Sequence, residues 1–201
     1  MKSRIANSID EMKSAKVEWT EGMILSATAT FFEWWKNTCV PHVYLGPSSR
    51  EMDLAVISKN GLLWTIEVKI SRADWRNDNK KSNKFPYVAS PARFYYVVPD
   101  SILEKIKDES NPDLIMFKVP DFVPDWAGVV GLGNVRQHHT REDGIIEFFD
   151  SPKRTFVRPC KSLHRNKLNP RYKEELYRKI SMRYWSHVTG IDMPKIITLE
   201  D

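Results

Sequence analysis

The sequence predicts an α/β protein, a central mixed sheet with helices on both faces. Three observations predict it. Lys59-Asn60-Gly61 lies between two β-rich runs, Met52 to Ile57 and Leu62 to Ile70, and Asn-Gly between apolar runs is a strong hairpin signal. Arg93 to Val98 is β-branched and aromatic and is stopped by Pro99, as a strand would be. Apolar residues at helical spacing mark helices before and after these strands.

In chain order, the polar residues Met1 to Lys16 are expected to form a flexible segment, followed by one domain over residues 17–201. A helix is expected from Thr20, its N-cap, to about Asn37, with Met23, Ile24, Ala27, Phe31, Trp34 and Trp35 on its apolar stripe. Val40 to Leu45 reads as the first strand, ended by Gly46-Pro47. After the hairpin, Ser71 can cap a helix with Asp74 at its third position, and Trp75 is expected beneath that helix. Ser101 to Lys107 reads as a short helix. Leu114 to Val119 reads as a strand, with a parallel partner in Arg93–Val98 as one option. Ala127 to Leu132 reads as an apolar strand ended by glycine, Asn134 to Gly144 as a charged loop, and Ile145 to Asp150 as an edge strand. Pro170 to Val188 reads as a helix with Tyr177, Ile180, Met182, Tyr184 and Trp185 in or near its buried stripe, followed by a tail from Asp192 to Asp201.

Composition narrows the classes. Apolar residues at 41% and aromatics at 11% of 201 residues describe a folded globule rather than a disordered chain. No apolar run reaches the ~18 residues of a membrane span. The first sixteen residues lack the apolar segment of a signal peptide. Cys39 and Cys160 are too far apart in sequence to suggest a disulfide framework or a zinc spacing, and read as reduced thiols in a cytoplasm, that of a bacterial or phage-infected cell. The net charge of +5 is unevenly placed: Ser151 to Trp185 holds 11 Lys or Arg against 2 Glu, so 11 − 2 = +9, and the rest carries 5 − 9 = −4. The basic C-terminal part, residues 151–190, would either concentrate a polyanion or serve as a plain solvated face. His138 and His139 are read as loop residues rather than ligands, because adjacent side chains point apart and no third ligand is placed beside them.

The hairpin carries the chemistry. A two-residue loop at Asn60-Gly61 would pair residues summing to 121 and send Asp53 and Glu67 to opposite faces. A three-residue loop, with Gly61 left-handed, pairs residues summing to 120 and sets Asp53 opposite Glu67 and Glu51 opposite Lys69. The second register sorts the faces and is the one expected: Leu54, Val56, Trp64, Ile66 and Val68 on one side, Asp53, Thr65, Glu67 and Lys69 on the other. Two opposed carboxylates destabilise a bare hairpin, and a divalent cation reverses that sign. The same spacing also fits an ordinary salt-bridged hairpin, with Glu51 or Glu67 paired to Lys69. The helix after Ser71 carries Arg72, Arg76, Lys80 and Lys81, with Lys84 beyond, a basic face suited to a phosphodiester backbone. Asp74 and Asp78 would balance these cations if the helix were merely solvated.

Glu51-Met52-Asp53 on one strand, Glu67-Val68-Lys69 on the next, and a helix opening after Ser71-Arg72-Ala73-Asp74 resemble the PD-(D/E)xK nuclease superfamily, the restriction-endonuclease-like fold. The longer run EVKISRADWRND, followed by Lys80, Tyr87 and Arg93 to Pro99, resembles its MmcB-like DNA-repair branch, over roughly Ser49 to Pro99. The resemblance implies a Mg²⁺- or Mn²⁺-dependent deoxyribonuclease of repair, recombination or phage DNA processing. Asp53 and Glu67 would bind the metal, with the Val68 carbonyl as a further oxygen, and Lys69 would position or activate the water. Glu21 has two readings, a charge suited to the helix dipole or a third carboxylate of the site, and Glu51 would orient Lys69. Arg72, Arg76, Lys80, Lys81, Lys84 and Arg93 would contact DNA phosphates. The implied partner is DNA through its backbone, with a second copy of the chain or a repair or replication protein left open and no membrane expected. The rival is a DNA-binding accessory of the same fold that cuts nothing; a protein-interaction domain and an RNA substrate are more distant.

Overall fold

The computed structural model describes residues 19–45, 51–80, 90–107, 115–140 and 146–189. The expected flexible start, Gly46-Pro47, Lys81, Lys84, Tyr87 and the tail from Asp192 lie outside these residues. The elements are α1 (Glu21–Phe31), β1 (Thr38–Val43), β2 (Met52–Ile57), β3 (Leu63–Val68), α2 (Arg72–Lys80), β4 (Arg93–Pro99), β5 (Glu104–Lys107), β6 (Ile115–Lys118), β7 (Gly128–Thr140), β8 (Ile146–Arg158) and α3 (Pro170–Thr189). Six strands form one mixed sheet in the order β1-β2-β3-β4-β7-β8, with β3–β4 and β4–β7 parallel and the other neighbours antiparallel. β5 and β6 form a separate antiparallel pair. The α/β class with helices on both faces is therefore what the chain adopts.

The hairpin takes the register that sorts its faces. Leu54 pairs with Ile66, Ala55 with Thr65, Val56 with Trp64 and Ile57 with Leu63. Gly61 has φ +80° and donates its N–H to the Ser58 carbonyl at 2.7 Å, and Ser58 donates to the Leu62 carbonyl at 3.0 Å. This is a three-residue loop with the glycine left-handed, a conformation that costs a Cβ-bearing residue energy. Alternation then divides the core. Leu54, Val56, Ile66 and Val68, with Tyr95 and Val97 of β4, pack under Ile24, Leu25 and Ala27 of α1. Ala55, Ile57 and Leu63 face the other way, against Leu176 of α3. Trp75 of α2 packs on the same side over Phe94, Tyr96 and Val98. Each fully buried aliphatic side chain of this core contributes roughly 2 kcal/mol.

Two helix starts follow from their caps. The Thr20 hydroxyl accepts from the Met23 N–H at 3.3 Å, and the Ser71 hydroxyl from the Asp74 N–H at 3.1 Å. The end of α1 differs from expectation: it stops at Phe31 rather than Asn37. Glu33 turns left-handed (φ 52°), and the Asn37 amide donates to the Phe32 carbonyl at 2.7 Å while its oxygen accepts from the Lys59 N–H at 3.1 Å. Asn37 thus fastens the helix end to the hairpin turn. Trp34 and Trp35 leave the apolar stripe and stand 61% and 56% exposed. Glu33 is ion-paired to Lys36 at 2.7 Å, as a solvated glutamate would be.

Four other expectations are corrected. The first strand begins and ends two residues earlier, at Thr38–Val43. Ser101–Lys107 is not a helix but a 3₁₀ turn, Asp100–Ile102, followed by β5. So short a segment does not offset helix nucleation, and β6 satisfies its backbone antiparallel rather than parallel to β4. β7 does not end at glycine: a Cβ on Gly133 would lie 2.4 Å from the Asp100 carboxylate, so the glycine admits Asp100 instead of stopping the strand. Asn134–Thr140 of the expected loop and the expected edge strand from Ile146 consequently belong to one long β7–β8 ladder, in which Ile146–Arg158 is indeed an edge, and residues 141–145 lie outside the described residues. In α3 the buried stripe is Leu176 with Tyr172 and Ile180, whereas Tyr177 and Tyr184 are exposed. The stripe runs i, i+4, i+8 from Tyr172; Tyr177 falls off it, and by Tyr184, one step further, a drift of about 40° per four residues has carried the row out to solvent. The Arg183 guanidinium reaches the Pro41 and His42 carbonyls and Lys179 the Tyr44 carbonyl, so two cations of the basic region hold α3 on β1.

Both cysteines are free, and burial pushes the Cys39 thiol up to about 11. No helix among the described residues is long and apolar enough to cross a membrane.

Replacing Gly61 by alanine should cost about 1 kcal/mol, from backbone strain alone. The added Cβ would meet only the Lys167 stem, at 3.7 Å. Urea denaturation checks this, and Gly61→Asn should lose less than Gly61→Ala.

Candidate active site at the end of the hairpin

The β2–β3 ladder extends from Ile57–Leu63 to Leu54–Ile66 and is then interrupted by a side chain. Val68 gives its N–H to Asp53 Oδ2 at 2.7 Å, and the chain continues on its other side with the Lys69 N–H on the Val97 carbonyl at 3.1 Å. Asp53 is therefore pinned where the two strands part. Glu67, paired in register with Tyr96 of β4, shares the face with Asp53, as the register requires. Lys69 Nζ lies 3.3 Å from Glu67 Oε2, and the residue is only 8% exposed.

Two further residues complete the cluster. Lys69 Nζ lies 3.8 Å from Asp78 Oδ1, and the fully buried Tyr96 donates its hydroxyl to Asp78 Oδ2 at 3.0 Å. Sequence reasoning had given Asp78 only the task of balancing the cations of α2. The available signal was its spacing: Asp78 lies four residues after Asp74, on the turn that follows the Ser71 cap, and so faces back toward the end of β3.

Burial raises the pKa of both acids, for different balances of reasons. Asp53 is raised by burial, opposed by the Val68 N–H and the Lys69 charge, with Glu21 adding to the rise and His42 opposing it. Glu67 is pushed up to about 8 by burial and by the Asp53 charge, against the pull of Lys69. Burial works to lower Lys69, but Glu67, Asp78 and Asp53 outweigh it and hold the ammonium above its ordinary range. Lys69 thus keeps its proton, which suits it to orient a water or balance negative charge rather than to accept a proton.

The other site candidates divide. Glu21, in the first turn of α1, stands close enough for its charge to reach Asp53. Glu51 does not orient Lys69. Its carboxylate accepts from the Tyr44 hydroxyl at 2.7 Å and lies 3.3 Å from His42 Nδ1, because it falls beyond the β2–β3 ladder and beside β1. Arg72 and Arg76 are exposed on α2, with Arg76 lying 5.9 Å from the centre of the Phe122 ring. The Lys80 side chain, like Lys81 and Lys84, lies outside the described residues. Arg93 is not gathered with them: it pairs in register with Trp64, three residues before Glu67, at the turn end of the sheet.

The donor set can be tested against a divalent cation. Among the described residues no three His, Cys, Asp or Glu side chains converge as a ready cage. Two half-buried carboxylates with raised pKa values, one of them raised in part by the other's charge, are nonetheless a hard-oxygen pair that a cation would relieve, and Mg²⁺ commonly binds through one or two carboxylates while keeping its waters. The residues present fit such an ion.

The pH dependence of stability has a definite sign. Unfolded, Glu67 ionises near 4.5; folded, it holds its proton to about 8. The fold binds more protons in that window, so without metal its stability falls as pH rises from about 4.5 to about 8, by on the order of a few kcal/mol. Urea midpoints in EDTA at both ends of the window should show that fall, and Glu67→Gln should flatten it.

Comparison with known proteins identifies the family. A solved structure described as SPO1766 protein of unknown function from Silicibacter pomeroyi is similar at 18% identity and a TM-score of 0.49, covering 92% of this chain and 100% of that one. A likeness that slight bears on neither fold nor function. No curated protein matches. The family described as DNA repair protein MmcB-like matches residues 10–113, which hold the hairpin, α2 and β4. That span is more than half of the chain, so the protein belongs to the MmcB-like family, within the restriction-endonuclease-like superfamily.

Proposed function

We propose that the chain is a divalent-cation-dependent deoxyribonuclease of DNA repair. The observation that carries this reading is the convergence of Asp53, Glu67 and Lys69 on one half-buried sheet end, two acids whose pKa values are raised and one ammonium held charged beside them. Membership of a family described by DNA repair supports the substrate class.

Asp53 and Glu67 would hold Mg²⁺ or Mn²⁺, with the Val68 carbonyl as a further oxygen and Glu21 as a third carboxylate. When bound, such an ion acidifies water and stabilises charge developing at phosphorus. The residues supply the rest. The Val68 N–H fixes one Asp53 oxygen, and the other would be the one to hold the cation. Lys69 orients the attacking water and balances charge at the phosphate, and Asp78, itself held by Tyr96, keeps the ammonium in place. Arg72 and Arg76, exposed on the helix that leaves the site, neutralise neighbouring backbone phosphates.

The rival, a DNA-binding accessory that cuts nothing, draws on the absence of a three-ligand cage among the described residues. A nuclease assay with Mg²⁺ or Mn²⁺ separates the two. Asp53→Ala and Lys69→Ala should each lose about a hundredfold or more in rate. Equal rates in the wild type and both variants would remove the enzyme reading. In the same assay Glu51→Ala should retain activity, since Glu51 is spent on Tyr44 and His42.

A further inference from the structure

The acidic pair occupies one end of β3. The other end carries cations that the proposed hydrolysis does not use. Residues 159–169 run there as an extended strap across the starts of β4 and β3. The Lys161 N–H bonds the Trp126 carbonyl at 3.2 Å, Leu163 the Ala92 carbonyl at 3.0 Å and Leu168 the Gly61 carbonyl at 2.8 Å. The His164 ring locks the middle of the strap. Its Nδ1 accepts from the Asn166 N–H at 3.1 Å, so in the neutral ring Nε2 donates to the Ser90 carbonyl, 2.8 Å away.

This strap and the hairpin turn enclose a cleft of about 320 Å³, whose polar lining is Asn60, Arg93, Ser162, Arg165 and Lys167. A second cleft of about 440 Å³ adjoins it and shares Lys167. The first lining holds three cations, an amide and a hydroxyl, and no acid. The Lys167 stem lies over Gly61, so the turn that sets the active-site register also seats this lysine. Arg93 is half-buried and lies 5.4 Å from the centre of the Trp64 ring, with the Tyr95 hydroxyl near enough to feel its charge, and no carboxylate among the described residues is ion-paired with it. A guanidinium has five donors, and half-buried cations are normally matched by an anion. The strap's other lysine shows the contrast, since Lys161 is paired with Asp125 at 2.5 Å. No carboxylate among the described residues pairs with Arg165 or Lys167, and residues 81–89 contain no acid in their sequence.

We propose that this cleft is a second phosphate-binding site, which holds the backbone of a nucleic acid strand away from the acidic pair. The identity of the ligand rests on the nucleic-acid reading above; the anion site does not. A strand is favoured over a free phosphate by the exposed Trp34–Trp35 pair, edge to face at 6.0 Å, on the turn that Asn37 fastens to Lys59. Exposed aromatics and cations are what stacked bases and their phosphates require, and the Asn37–Lys59 bond ties this turn to the residue before Asn60 of the cleft. From Leu62 at the cleft to Glu67 at the acidic pair is 67 − 62 = 5 residues, roughly 17 Å along the strand. Even at the ~3.4 Å per nucleotide of a stacked duplex strand, a 20-mer is several times longer than this span, so one oligonucleotide can engage both sites.

The test is fluorescence anisotropy of a labelled single-stranded 20-mer on the full chain in EDTA, where nothing is cut. Arg165→Gln with Lys167→Gln removes two charges and keeps both stems. It should weaken binding about tenfold and lower the salt slope by about 1.4, as expected for two lost phosphate contacts on a single strand. Lys105→Gln with Lys118→Gln removes the same charge from exposed positions on β5 and β6 and should change affinity less than twofold. Equal weakening by the two pairs would mean that only net charge matters and would overturn the proposal, as would no weakening by the first pair. If inorganic phosphate raises the wild-type melting temperature through Arg165 and Lys167 but the 20-mer does not bind, the nucleic-acid assignment falls. Loss of the hydrolase reading in the nuclease assay would leave this result untouched, so the two fail separately.

Discussion

Two acids cannot share a half-buried sheet end unless something positive stands with them, and the surrounding structure is shaped by that constraint. Asp53 is placed by a strand that stops pairing one residue too early, and it takes the Val68 N–H as a substitute for the lost ladder bond. Glu67 is placed by its register with β4. Lys69 supplies one positive charge against three nearby carboxylates, Glu67, Asp78 and Asp53. The remaining imbalance shows as raised pKa values on both acids rather than as a distorted fold. Apolar packing offsets that cost: Leu54, Ile66 and Val68 are buried against Ile24, Leu25 and Ala27 of α1.

The parts of the fold that were legible in the sequence are those fixed by local chemistry. The sorting of apolar from polar residues decides between two registers, Gly61 supplies the left-handed residue that the three-residue loop requires, and the register decides which side chains meet. Thr20 and Ser71 announce their helices through hydroxyls that satisfy orphan amides. What was not legible depends on partners distant in sequence. Nothing local to Phe32–Asn37 says that the Asn37 amide will end α1 early and bond the hairpin turn. The glycines of β7 look like strand breakers until Asp100 is seen to need their space. Tyr177 and Tyr184 suit a buried stripe by hydropathy, and only the docking of Leu176 against β1 and β2 rotates them outward.

The candidate site follows the same division. Asp53, Glu67 and Lys69 were readable because register and alternation are arithmetic. Asp78 and Tyr96 were not, because their roles require the end of α2 to come back over β4, and a helix's return angle is set by packing of Trp75 on Tyr96 and Phe122. Glu51 was misassigned for a related reason: its opposition to Lys69 assumes a ladder that the structure ends three residues earlier. The basic region was legible as a charge count but not as a distribution. Arg183 and Lys179 fasten α3, Lys161 is paired, and Arg165 and Lys167 are left to face solvent.

The two outermost strands of the six-stranded sheet, β1 and β8, each contain a proline, Pro41 and Pro152. A proline offers no N–H, so neither rim presents an unbroken row of donors to a neighbour. On β1 the Pro41 and His42 carbonyls are already taken by Arg183. Copies of this chain therefore have poor means of continuing one another's sheet, and the molecule is protected at both margins from the edge-to-edge stacking that leads to fibres.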